Sequence, residues 1–245
     1  MNDEEEISTR GNTSSHTEPN GNSGILYIVP TPIGNLKDIT LRAIEILKDC
    51  DLILAEDTRN TSRLLNHYQI IKPLSPYHQH NEHKIVKHLV HQMIEGKKMA
   101  VVTDAGTPGI SDPAFLLVRE AIKNNIRVET LPGATAFIPA LVNSGLTTNR
   151  FSFEGFLPLK KGRHTLLTKL AEEDRTLIFY ESPVRLVKTL EDFIKYFGPE
   201  RRCSISRELT KMFEENVRGN LQEIHDYFGI RTVKGEIVII IEGKN

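Results

Sequence analysis

Short apolar runs alternate along the chain with longer stretches in which apolar residues recur every three or four positions. In the first half, the short runs predict strands at 25–29, 52–55, 99–103 and 127–131. The periodic stretches predict helices at 40–48, 82–95, 113–123 and 134–143. This spacing is typical of a helix that buries one face against a sheet. The alternation predicts an α/β fold with largely parallel sheets.

The same alternation continues beyond 143–150, a polar stretch that predicts a boundary between two units. Strands are predicted at 151–156, 175–180, 202–206 and 235–241, and helices at 183–197 and 220–227. Asn220, with Glu223 three positions later, is typical of a helix start. We therefore predict two α/β lobes, an N-terminal domain at 24–146 and a C-terminal domain at 147–245.

The first 23 residues differ in composition from the rest of the chain. Five acidic residues and one arginine give them a formal charge of −4, which leaves +3 on the other 222 residues. They have few apolar groups, so burial cannot offset the entropy cost of ordering them. They also lack the basic start and apolar run of a secretory signal. We predict a disordered acidic tail at 1–23.

Two further features of the composition bear on where the protein works. No stretch approaches the roughly 18 consecutive apolar residues of a membrane span. The two cysteines, Cys50 and Cys203, are too few for a disulfide framework or a cysteine-rich zinc site. We therefore predict a cytoplasmic protein with no membrane partner.

Small, polar and charged residues follow six of the predicted strands. The loops concerned are 30–35, 56–59, 104–112, 132–135, 181–182 and 207–210. In open α/β sheets the carboxyl ends of the strands border the ligand crevice. We therefore predict that these loops converge on one site. The alternative is that they are ordinary polar, glycine-rich connections.

The loop 104–112 carries the strongest signal. Gly106, Pro108 and Gly109 predict a sharp bend with exposed N–H groups that can receive a carboxylate or a phosphate. The loop matches neither a Walker loop nor the GxGxxG pattern of dinucleotide sites. The alternative is an elaborate turn in which Asp112 caps the following helix.

A second glycine-containing loop precedes the predicted helix 134–143. Gly133 predicts a close approach of the backbone to a ligand, and the small Ala134 and Thr135 leave room for a flat ring. The alternative is a tight turn between strand and helix.

Histidine and basic residues are unevenly distributed. The spacing of His78, His80 and His83 permits a metal site, but no strong pattern of nearby carboxylates or cysteines supports it, so we predict no metal. Localised basic groups on a nearly neutral chain fit contacts to an RNA backbone, although the run at 160–163 is equally typical of a solvated loop. The predicted RNA-binding residues are Arg59, Lys160, Lys161, Arg163 and Arg185.

The polar loops also carry a resemblance to a known family. The segments 26–59, 101–114, 131–146, 153–158, 179–186 and 204–215 resemble the tetrapyrrole methylase superfamily. Within it they are similar to the members that methylate ribosomal RNA rather than a tetrapyrrole. The resemblance covers residues 25 to about 243 and leaves out only the acidic tail.

The resemblance implies two α/β lobes with S-adenosylmethionine in the cleft between them, in a homodimer. The implied reaction is methylation of the ribose 2′-hydroxyl of a decoding-region cytidine in 16S rRNA, with the small ribosomal subunit as partner. The rival hypotheses are a tetrapyrrole methyltransferase and a non-catalytic RNA-binding assembly factor. The implied cofactor-binding residues are Pro32, Asp104, Ala105, Gly106, Thr107, Pro108, Ile110, Gly133, Ala134, Thr135, Ala136 and Arg207.

A ribose hydroxyl is a poor nucleophile, so a base or a polarising group at a strand end is expected. We place Asp57 first, with the alternative that it caps a helix beginning near Thr58. Arg59 and Arg207 are candidates for holding phosphates beside the target ribose. The other candidates for proton transfer are Glu56, Glu181 and Glu208.

Overall fold

The structure is a computed structural model that describes residues 24–244, and the predicted acidic tail lies outside them. The first half of these residues forms a five-stranded parallel sheet in the order β3-β2-β4-β1-β5. Its strands are β1 (Ile25–Ile28), β2 (Leu52–Ala55), β3 (Leu74–Pro76), β4 (Met99–Val102) and β5 (Arg127–Thr130).

Helices cover both faces of this first sheet, because its central strands are apolar on both sides. Leu26 and Val101 face α3 and α4, whereas Tyr27 and Ala100 face α1 and α2. The helices of this half are α1 (Leu41–Asp49), α2 (Thr58–His67), α3 (Glu82–Ile94), α4 (Phe115–Lys123) and α5 (Phe137–Ser144).

The neighbouring strands β1 and β4 form the switch point of the first sheet. The chain leaves β1 through α1 toward β2, and it leaves β4 through α4 toward β5, in the opposite direction and on the other face. Connections that run in opposite directions from neighbouring strands leave a crevice at the carboxyl edge of a sheet.

The second sheet has the order β6-β7-β10-β8-β9, and only the β6–β7 pair is parallel. The prediction of largely parallel sheets is wrong here, because β8 and β9 are joined by a short loop that can connect only antiparallel neighbours. The strands are β6 (Phe151–Phe156), β7 (Thr176–Glu181), β8 (Arg202–Arg207), β9 (Glu215–Asn220) and β10 (Ile237–Ile241).

One face of the second sheet is covered by α6 (Arg163–Leu170), α7 (Leu186–Phe197) and α8 (Leu221–Gly229). The capping box predicted from Asn220 and Glu223 is present at the start of α8. Along β10, alternate side chains such as Ile239 point to this helical layer.

The opposite face of the second sheet is covered by α5. Ala140 and Leu141 of this helix pack with Val238 and Ile240. Helix α5 lies within the predicted N-terminal domain, yet it packs on the sheet of the other half. The domain boundary at 146–147 stays a prediction.

Three helices begin later than their sequence patterns suggest. Helix α4 begins at Phe115 rather than at residue 113, and α5 begins at Phe137 rather than at 134. Helix α7 begins at Leu186 rather than at 183. In each case the loop before the helix is longer than predicted, and that loop borders a cavity at the carboxyl edge of the first sheet. Among residues 24–244, no helix has the length and apolar character needed to cross a bilayer.

Candidate active site

Loops from both sheets enclose a cavity of about 420 Å³ at the carboxyl edge of the first sheet, which we call the central cavity. Its volume lies in the range of small-molecule sites. All six loops selected from the sequence contribute to its wall, so they do converge. Their contributions are Ile33, Glu56, 104–107 with 110–112, Thr135, 181–182 and Leu209.

The loops after β1, β4 and β5 are tied to one another at the cavity wall. Thr31 and Gly106 exchange two backbone hydrogen bonds of 2.9 Å. The Thr107 hydroxyl donates to the Ala134 carbonyl at 3.0 Å. Three segments distant in sequence are thereby held in fixed positions around the cavity before any ligand arrives.

Two glycines in these loops are required for different reasons. Gly106 has a φ of +89°, which other residues rarely adopt, although a Cβ there would meet Ile33 only at an ordinary 3.6 Å. A Cβ on Gly133 would lie 2.5 Å from the Cβ of Pro30. Gly133 is therefore needed for packing against Pro30, and the close approach of its backbone to a ligand stays a prediction.

The central cavity is lined by acidic side chains and, among residues 24–244, by no lysine, arginine or histidine. Burial, aided by the negative charge of Glu56, raises the pKa of Asp112 to about 6. Burial likewise raises the pKa of Asp104. An electronegative cavity of this kind favours a positively charged ligand. The acidic residues are Glu56, Asp104, Asp112, Glu181 and Glu236.

Asp112 is a cavity residue that sequence reasoning missed. The pattern Asp-Pro predicts a helix cap at this position, but the residue that precedes α4 is Ala114, which makes no side-chain cap hydrogen bond. Ser111, with a φ of +68°, turns the chain away from a helical path just before Asp112. The signal that identifies Asp112 is its place in a loop that follows a strand.

Asp57, the first candidate for the base, is the cap of α2. Its Oδ1 accepts from the Arg59 N–H at 2.8 Å, and the Arg59 guanidinium donates to both carboxylate oxygens at 3.0 and 2.6 Å. These hydrogen bonds lower the pKa of Asp57 to about 2. Its geometry is that of the helix cap weighed as the alternative, and it is not among the residues that line the central cavity.

Glu56 and Glu181 line the cavity and are both hydrogen-bonded. The Thr103 hydroxyl donates to Glu56 at 2.5 Å. The Glu181 carboxylate is buried and accepts from Arg185 Nε at 2.6 Å and from the Thr189 hydroxyl at 2.7 Å. Glu181 therefore holds Arg185 in place, and its part in proton transfer stays a prediction.

The predicted basic residues fall into two groups. Arg163 binds Asp192 at 2.8 Å, and Arg207 binds Glu215 at 2.9 Å. In contrast, Lys160 and Lys161 are exposed in the loop after β6. Arg59 has a side chain that is 85% exposed although it pairs with Asp57.

The implied cofactor-binding residues lie mostly, but not all, at the central cavity. Pro108 is buried, and Pro32 lines a second hollow nearby. Arg207 lies outside the cavity lining in its pair with Glu215. Among residues 24–244, no group of three or more His, Cys, Asp or Glu side chains is arranged to hold a metal ion. The implied cofactor-binding residues that line the central cavity are Asp104, Ala105, Gly106, Thr107, Ile110, Thr135 and Ala136.

Comparison with known proteins defines the class. A family model, Tetrapyrrole (Corrin/Porphyrin) Methylases, matches residues 25–225, so the chain belongs to this family of methyltransferases. The ribosomal RNA small subunit methyltransferase I of Synechocystis sp. is 52% identical, over 90% of this chain and 79% of that protein. The protein of the same name from Thermotoga maritima is 46% identical, over 90% and 99% of the two chains.

Solved structures support the fold. The uroporphyrin-III-C-methyltransferase of Thermus thermophilus superposes with a TM-score of 0.61 at 19% identity, over 89% of this chain and 94% of that one. A diphthine synthase superposes with a TM-score of 0.68 at 12% identity, over 89% and 90%. The predicted class of two α/β lobes of the tetrapyrrole methylase type is confirmed.

Proposed function

We propose that this protein transfers a methyl group from S-adenosylmethionine to the ribose 2′-hydroxyl of a decoding-region cytidine in 16S rRNA. The observation that carries the proposal is the 52% identity, over 90% of the chain, to a protein named for methylation of small subunit ribosomal RNA. The ribose oxygen and the cytidine are what the resemblance of the polar loops implies. The small ribosomal subunit is the proposed partner, and a homodimer and a cytoplasmic location stay predictions.

The central cavity fits S-adenosylmethionine in size and charge. This molecule carries a sulfonium and an ammonium group against one carboxylate. Its net positive charge suits a cavity in which Glu56, Asp104 and Asp112 have no basic ion-pair partner among residues 24–244 and whose described lining contains no basic residue. Ile33, Ala136 and Val238 supply apolar wall for an adenine ring. When bound, the molecule supplies a methyl carbon on a positively charged sulfur.

The residues of the cavity have two tasks in such a transfer. The first is alignment, because holding two reactants in line lowers the barrier by as much as roughly 7–11 kcal/mol. The hydrogen bonds of Gly106 with Thr31, and of Thr107 with Ala134, fix the wall that provides it. The second task is to remove the hydroxyl proton.

Asp104 is the carboxylate that we favour as the proton acceptor. Burial raises its pKa, which makes it a stronger base than Asp57, whose pKa the Arg59 hydrogen bonds lower to about 2. The Asn60 amide donates to Asp104 Oδ2 at 3.0 Å and holds the carboxylate in place.

Incubation with methyl-labelled S-adenosylmethionine and immature small subunits tests the proposal against its rivals. We expect label in 16S rRNA that nuclease digestion releases as 2′-O-methylcytidine. Label found only on an added corrinoid or porphyrin would support the tetrapyrrole alternative. Binding to the subunit without any transfer would support a non-catalytic assembly factor.

A further inference from the structure

A second hollow of about 350 Å³ lies beside the central cavity, and we call it the adjoining hollow. It is bounded by the loop after β1, by α2 and by the loop after β8. Five residues line both spaces and form a common wall: Ile33, Thr103, Asp104, Ala105 and Glu236.

The adjoining hollow differs from the central cavity in that it contains basic side chains. Lys211 lines it but is neutralised, because its Nζ lies 2.8 Å from carboxylate oxygens of both Glu208 and Glu236. Arg63 also lines it, is exposed, and has no hydrogen-bond or ion-pair partner among residues 24–244. The hollow therefore holds one guanidinium whose charge and donors are not used within the described chain.

Helix α2 extends this basic character outward. Arg59 lies one turn before Arg63 and His67 one turn after it, so the three side chains emerge on the same side of the helix. The Arg59 side chain is 85% exposed, although its guanidinium is paired with Asp57. Arg63 is therefore the unpaired arginine of this row among residues 24–244, and a guanidinium of this kind suits one phosphate of a nucleic-acid strand.

We propose that the adjoining hollow receives the acceptor nucleotide, with the Arg63 guanidinium on a phosphate beside the target ribose. This inference rests on the proposed function and names its substrate subsite. Asp104 and Glu236 line the hollow as well, but Glu236 is neutralised by Lys211. A phosphodiester is attracted there by Arg63 and meets fewer unpaired carboxylates than in the central cavity, which adds Glu56 and Asp112. S-adenosylmethionine and the RNA therefore occupy separate spaces and meet at the common wall.

The common wall also contains the group that accepts the proton of the ribose hydroxyl. The ribose oxygen bonds to the methyl carbon while the carbon–sulfur bond breaks and leaves its electron pair on sulfur. The hydroxyl proton passes to Asp104, which is one of the residues that line both spaces. All atoms and charges are thereby accounted for without a further reactant.

Arg63→Ala and Arg63→Gln are the test variants, and Lys87→Ala is the matched control. Lys87 is an exposed helical cation on α3, on the opposite face of the first sheet, and no ion-pair partner for it is found within 24–244. Methyl transfer to immature small subunits is measured as KM and kcat. Subunit binding is measured over a range of salt, and S-adenosylmethionine binding by calorimetry.

Both Arg63 variants are expected to raise KM for the subunit about tenfold and to lower the salt slope by about 0.7–1, which corresponds to one lost phosphate contact. Their affinity for S-adenosylmethionine should match that of the wild type. The control Lys87→Ala should match the wild type in KM, in salt slope and in affinity for S-adenosylmethionine. An unchanged KM and slope would overturn the inference, and so would a loss of S-adenosylmethionine binding, which would place Arg63 on the donor. If the wild type itself labels no rRNA, the proposed function fails instead.

Discussion

The central cavity and the adjoining hollow share a wall, yet they differ in unpaired charge. In the cavity, Glu56, Asp104 and Asp112 have no basic ion-pair partner among residues 24–244, and the pKa of Asp112 rises to about 6 because of burial and its acidic neighbour Glu56. In the hollow, Lys211 is neutralised by two carboxylates, whereas Arg63 has no such partner in the described chain. The comparison teaches that pairing, more than the number of charged residues, determines what a space can bind.

Among the variants that test this difference between the two spaces, Gly106→Val is expected to have the largest effect. A β-branched residue cannot easily hold a φ of +89°, so the loop should rearrange and break its hydrogen bonds with Thr31. We expect calorimetry to show affinity for S-adenosylmethionine reduced by about 100-fold. Gly162→Val is the control, because Gly162 has a φ of +82° in open space away from the cavity. Equal losses in the two variants would mean that strain alone, without the cavity, explains the result.

Asp112→Asn should change the pH dependence of stability. The pKa of Asp112 in the folded state, about 6, exceeds its ordinary value of 3.8. Between these values the folded state holds more protons than the unfolded state, so this group reduces the free energy of unfolding as pH rises. The free energy of unfolding of the variant should therefore rise relative to that of the wild type between about pH 4 and pH 6, by up to about 3 kcal/mol above pH 6. Urea denaturation over this range measures the difference, and a difference independent of pH would contradict the raised pKa of Asp112.

Charge reversal of Lys160 and Lys161 should have a smaller effect, confined to RNA. The two exposed lysines lie outside both spaces, so their reversal should weaken subunit binding and flatten its salt dependence. Calorimetry with S-adenosylmethionine should give the wild-type affinity. A salt slope equal to that of the wild type would remove the loop 160–163 from the RNA surface.

Asp57→Asn is expected to have the smallest effect. Asparagine caps helices about as well as aspartate, so the free energy of unfolding should change by less than about 1 kcal/mol. Methyl transfer should stay within a few-fold of the wild type, because Asp57 is paired with Arg59. A loss of kcat by about 100-fold or more would instead identify Asp57 as the proton acceptor.

The sequence predicts those elements of the fold whose apolar pattern is strong. The strand 52–55 agrees with the structure, because the burial of its apolar side chains defines it. Strand β9, with the sequence ENVRGN, was missed because it is polar and is defined by pairing with β8. The packing of α5 on the second sheet depends on contacts distant in sequence, which the local pattern does not contain.

In the candidate site, too, features set by the local sequence pattern are predictable, and features set by contacts between distant elements are not. The loops that form the central cavity are predictable from the sequence, since parallel strands bring their carboxyl ends to one edge. The pairing of the charged residues is not predictable in this way. Arg163 and Arg185 were expected on RNA but bind Asp192 and Glu181, whereas Arg63 was not among the predicted RNA-binding residues. Pairing depends on the packing of side chains from distant elements.

The most direct test compares the wild type with Gly106→Val in methyl transfer to immature small subunits, with the modified nucleoside identified by mass spectrometry. The account predicts 2′-O-methylcytidine at a single position of 16S rRNA with the wild type and none with the variant. A methyl group on a nucleobase, or equal transfer by both proteins, would contradict it.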